Sequence, residues 1–168
     1  MPVTVRINAP RFPHPLVTDQ LMRDVGDLSV RLIRTRTEAG KDVTGAAFTA
    51  YTPGYAERRA KEGMSTTPNL TVSGRMLNDM AVTDIGPGRA TIGFRSSGGQ
   101  SPRGKGLTLI QRSRAIGAED KARYHDELGA GKSRTRRRFL GLTPEDTEKV
   151  RRAVVDYLDT VVRRINQG

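Results

Sequence analysis

The sequence predicts an α+β fold: a small antiparallel sheet packed by two long amphipathic helices, at about 18–38 and 143–165, with long basic Gly-rich loops between them. Three observations carry this. Apolar residues recur at helical spacing near both ends, at Leu21, Val25, Leu28 and Leu32 and again at Val150, Val154, Tyr157, Val161 and Ile165. Strand-like alternation occurs at Val3, Val5 and Ile7 and at Ala90, Ile92 and Phe94. The apolar content is low: Leu, Ile, Val and Phe supply 36 of 168 residues, just above the roughly one-fifth at which highly charged chains stop folding. One modest core in a single domain over 1–168 is expected, and a large multidomain enzyme is excluded.

The elements follow in order. Val5 and Ile7 belong to a short half-buried strand, broken by Pro10, Pro13 and Pro15. Thr18 can cap the first long helix and Asp19 suits its positive end; Gly40 stops it. Residues 40–52 read as loop. Pro53 begins a short helix that Gly63 ends. Ser73 is placed to cap another over Met76, Leu77 and Met80. Val82 and Ile85, the turn Gly86-Pro87-Gly88 and the alternation to Phe94 predict a hairpin. Residues 96–106 hold no apolar side chain and read as a flexible loop. Leu107, Leu109 and Ile110 begin a strand or short helix, and a helix is expected over 118–128, ended by Gly129-Ala130-Gly131. A basic loop occupies 129–138. Thr143 as cap, Pro144 at the first position and Glu145-Asp146 in the first turn mark the start of the last helix.

Charge sets the candidate functions. Twenty-nine Lys and Arg against 18 acids leave +11, which implies an anionic partner or a long basic loop. Between residues 95 and 138 there are 12 Lys and Arg against 4 acids. This segment suits DNA phosphates, an acidic protein surface or a solvated loop. No groove-reading motif accompanies it, so sequence-specific DNA recognition is not expected. No apolar run approaches a membrane span, and the N-terminus lacks the apolar region of a signal peptide. The absence of Cys excludes disulfides, thiol nucleophiles and thiolate metal sites.

Two motifs invite chemistry and fail. Gly129-Ala130-Gly131-Lys132-Ser133 resembles the end of a phosphate-binding loop, but Asp126 stands where the pattern needs its first Gly. A helix end and turn explain it better. His125 and Asp126 are neighbours, and neighbours on a helix face different ways, so they form no acid–base couple by themselves. With two His and no Cys, no metal site is expected. No cofactor and no catalytic residue are assigned.

Three patches together resemble one family. The first is GAAFTAYTPGYAERRAK, Gly45 to Lys61; the second is NLTVSGRMLN, Asn69 to Asn78, with the hairpin ending ATIGF; the third holds ARYHDELG and RTRRRFLGLTPED, within Lys121 to Asp146. In this order they resemble the virion-morphogenesis or tail-completion family of tailed bacteriophages, the Mu-type and lambda-type neck proteins such as minor tail protein Z. Arg138 stands where that family usually has Pro, and Asp126-Glu127 replaces a Gln-containing pair. The resemblance implies a structural, non-enzymatic subunit of a six-membered ring at the head–tail junction of the virion, assembled in the host cytoplasm. Its neighbours would be further neck proteins and the tail tube or tail terminator, with genomic DNA in the lumen. Candidate interface residues, toward acidic protein or DNA, are Arg103, Lys105, Lys132, Arg134, Arg136, Arg137 and Arg138. Candidate core anchors are Leu28, Leu32, Phe139, Leu140, Val154 and Tyr157. A tail-terminator or head-closure ring and a nonspecific DNA-binding module are the competing readings.

Overall fold

The computed structural model describes residues 4–8, 16–96, 107–131 and 133–167. It is an α+β fold with one three-stranded antiparallel sheet. Strand β1 is Val5–Asn8, β2 is Met80–Gly86 and β3 is Arg89–Phe94. The order is β1-β3-β2, so the predicted hairpin supplies two strands and the N-terminal strand pairs with its second arm. Val5 lies opposite Ile92 and Ile7 opposite Ala90. Ala90 and Ile92 are fully buried, as the alternation requires. A bulge between Val82 and Asp84 shifts the register of β2 against β3.

Helix α1, Asp19–Glu38, crosses this sheet, and Thr18 caps it by accepting from the Leu21 N–H at 3.1 Å. Gly26 sets how closely helix and sheet approach: a Cβ there would fall 2.5 Å from Val82 Cγ2. The short helices α2 (Pro53–Lys61), α3 (Arg75–Asp79), α4 (Leu109–Ala115) and α5 (Ala118–Arg123) follow. Gly74, with φ 73°, starts α3 in place of the expected Ser73; the left-handed turn into the helix favours glycine. Leu109 and Ile110 are helical, in α4, which Thr108 and Gln111 begin with a reciprocal capping box. The expected helix over 118–128 loosens after Arg123 into a π-helical turn, Tyr124–Leu128. Helix α6, Pro144–Asn166, begins with the expected Thr143 cap.

The core has two parts. One joins Val30 and Ile33 of α1 to Phe48, Leu70, Met76, Leu77, Met80, Ile92, Ala122 and Phe139. The other joins Leu21 and Val25 of α1 to Val150 and Val154 of α6. Of the expected anchors, Phe139 and Val154 are buried. Leu28, Leu32 and Tyr157 are half-buried beside the second cluster and Leu140 beside the first. The stripe containing Leu28 and Leu32 misses Met22, Val30 and Ile33, because the sheet takes a different face of α1 from the one α6 takes.

Candidate functional site

The three patches of the family resemblance meet in space around Tyr51. Thr52 and Pro53 start α2, which carries Tyr55 and Arg59 one turn apart on one side. Arg59 is buried at 1% exposure. It donates to the Ser65 carbonyl at 2.6 Å and to that of Thr71, in the second patch, at 2.9 Å. From the third patch, Arg137 donates to the Thr49 carbonyl at 3.1 and 2.9 Å and to that of Ala50 at 3.1 Å. Both guanidiniums lie close to the Tyr51 ring centroid, Arg59 at 4.9 Å and Arg137 at 5.0 Å, a cation–π arrangement favoured by desolvation. Tyr55 packs edge-on to Tyr51 at 4.9 Å. Burial pushes the Tyr51 hydroxyl above its ordinary pKa and the Arg137 guanidinium below its own.

This corrects the expectation for Arg137. The sequence predicts the basic run at the surface, since an unpaired buried charge is costly. Arg137 is nonetheless only 6% exposed, and its partners among the described residues are carbonyls rather than carboxylates. Carbonyl oxygens and an aromatic face take the place of the counter-ion. Arg134, Arg136 and Arg138 are exposed, as expected of an interface or a solvated loop. Arg103, Lys105 and Lys132, and the loop expected over 96–106 apart from Ser96, lie outside the described residues.

The run is held in place by the π-helical turn. The Arg137 N–H donates to the His125 carbonyl at 2.7 Å. The Asp126 carboxylate accepts from the Phe139 and Leu140 N–H groups at 2.8 and 3.0 Å. Asp126 therefore positions the backbone that buries Phe139. The Ala130–Thr135 bridge closes the turn between, and Gly129 is required there: with φ 83°, a Cβ would fall 2.0 Å from the Arg134 carbonyl oxygen. The glycines of the phosphate-loop-like motif form this turn and open no helix.

Next to this cluster is a cavity of about 200 Å³, lined by Tyr55, Ser73, Arg112, Ser113, Lys121 and His125 together with apolar side chains. Ser73 and Ser113 share a hydrogen bond at 3.1 Å. Lys121 Nζ and His125 Nδ1 are buried without a hydrogen-bond partner among the described residues. Burial, then the charges of Arg137 and Lys121, push His125 down to about 4, so its imidazole is neutral at pH 7. Burial and the Arg75 guanidinium lower the Lys121 ammonium, which Asp79 offsets in part.

A second buried arginine ties the ends of the chain together. Arg36 of α1 pairs with Asp146 at the start of α6 and donates to the Phe139 and Gly141 carbonyls at 2.7 and 2.8 Å. Sequence reading missed this pair, because Asp146 looks like an ordinary first-turn acid and its partner lies 110 residues away.

No group of acidic or histidine side chains among the described residues is arranged to hold a metal ion, and no helix among them is long and apolar enough to cross a membrane. Comparisons with protein-family models, with curated proteins and with solved structures give no match to this chain.

Proposed function

We propose that this chain is a structural neck or tail-completion subunit of a tailed bacteriophage. Copies of it form a ring, six by resemblance, that joins the tail to the DNA-filled head. One observation carries the reading: the three patches that resemble the family, spread over residues 45–146, pack on one another around Tyr51. Packed together, the three patches read as one structural unit, which supports taking them as one motif set. The end of α6 adds support, since Val162 and Ile165 are 46% and 66% exposed on a helix that outruns its partner; apolar surface of this kind suits a neighbouring subunit. The exposed Arg134, Arg136 and Arg138 suit acidic side chains of an adjoining ring, with lumenal DNA as the alternative.

Native mass spectrometry of the purified protein tests this. Assemblies of about six 18.4 kDa chains are expected, and Arg134, Arg136 and Arg138 changed together to Glu should leave each subunit folded while abolishing head–tail joining in infected cells. Arg137 is excluded from that set because it is buried. A chain that stays monomeric at every concentration, and binds duplex DNA with a steep salt dependence, would instead be a nonspecific DNA-binding module.

A further inference from the structure

The cavity beside α2, α4 and α5 has lining chemistry that the ring reading leaves unused. Its wall holds the Ser73–Ser113 hydroxyl pair, Arg112, Lys121 and His125, and no acidic side chain. All 18 Asp and Glu of the chain fall within the described residues. The Lys121 ammonium is therefore buried with no carboxylate on it, and its Nζ finds no acceptor among those residues. Asp79, the acid that acts on Lys121, accepts from the Ser96 N–H and hydroxyl at 2.7 and 2.8 Å. A buried charge left in this state is costly, and a bound anion would relieve it.

The donors outnumber the acceptors. An ammonium carries three N–H groups, and a pair of bonded serines retains one free O–H. A cavity of about 200 Å³ is smaller than the roughly 300–1,000 Å³ of pockets for larger organic ligands. We propose that this cavity binds a small oxyanion of the phosphate class, held by Lys121 and the Ser73–Ser113 pair, with Arg112 and the His125 imidazole completing the wall. Phosphate fits the donors better than a carboxylate does, because its oxygens present acceptors in several directions at once.

The test is a titration with inorganic phosphate at constant ionic strength, followed by amide NMR shifts, with acetate as comparator. Saturable shifts confined to residues around Ser73, Ser113, Lys121 and His125 are expected with phosphate. Lys121→Met should abolish them, and it should fold, since it removes an unpaired buried charge. Ser73→Ala combined with Ser113→Ala should weaken binding about tenfold, the loss of the pair's one charge-assisted hydrogen bond, and it keeps the test valid should the lysine variant fail to fold. Unsaturable shifts, shifts unchanged in either variant, or saturation by acetate in preference to phosphate would each overturn the proposal.

Discussion

Helices α1 and α6 look alike in sequence and are used differently. Each is about twenty residues long, capped by a threonine and striped with aliphatic residues. Helix α1 buries nine residues, from Leu21 to Thr37. Even its polar positions are absorbed, since Ser29 and Thr37 return their hydroxyls to the Val25 and Ile33 carbonyls at 2.7 Å. Helix α6 buries three, Asp146, Val150 and Val154, and after Leu158 it leaves the core. The difference follows from position. Helix α1 lies between the sheet and α6, so two surfaces cover it, whereas among the described elements α6 packs chiefly on α1. A hydrophobic stripe thus records that a face is apolar, and the neighbouring elements decide whether this chain or another covers it.

The sharpest way to break this comparison is to cut the tie between the helices. Asp146→Ala removes the partner of Arg36 and the first-turn acceptor of the Thr143 N–H. It leaves a guanidinium buried with carbonyl partners alone, so a loss of about 3–5 kcal/mol is expected in denaturant melts. A loss under about 1 kcal/mol would mean that carbonyls suffice at Arg36, as they do at Arg137.

What could be read from the sequence was local. The caps at Thr18 and Thr143, the Gly-Pro-Gly hairpin and the ends of α1, α2 and α6 depend on neighbours within a few residues. The sites depend on distant ones. Nothing near Arg59 or Arg137 announces that Tyr51 and loop carbonyls will receive both, and a basic run is ordinarily a solvated one. The irregular hydrogen bonding after Arg123 was equally hidden, because Asp126 turns toward Phe139 and Leu140 only once the chain has folded back. The resemblance patches were legible as separate motifs, and their common surface around Tyr51 was not.

A second measurement uses one substitution at two places. Ile33 is fully buried in α1 and Ile165 is 66% exposed in α6. Ile33→Ala should cost about 2–5 kcal/mol through lost burial and the cavity left behind. Ile165→Ala should change the subunit's own stability by less than about 0.5 kcal/mol. Equal losses at the two sites, measured under conditions where the chain is monomeric, would show that the end of α6 is covered within the subunit.

The smallest expected effect on the single chain is the most informative about assembly. Val162 and Ile165 are exposed near the end of α6, three residues apart and hence on adjoining parts of one face. Val162→Asp with Ile165→Asp places two carboxylates there without disturbing Val150 or Val154, about two to four turns away within the core. The monomer should therefore melt within about 0.5 kcal/mol of the parent. The two acids sit toward the negative end of the helix dipole, which accounts for a small loss within that range. A neighbouring subunit that uses this face would have to bury both charges, and association should fail for that reason. The expected result is a folded 18.4 kDa monomer in place of the assembly. A variant that still assembles would assign the subunit contact to another surface, with the exposed Tyr124 and Leu128 on the π-helical turn the next to change. Loss of stability together with loss of assembly would show instead that the end of α6 packs within its own chain, and the contrast with α1 would disappear.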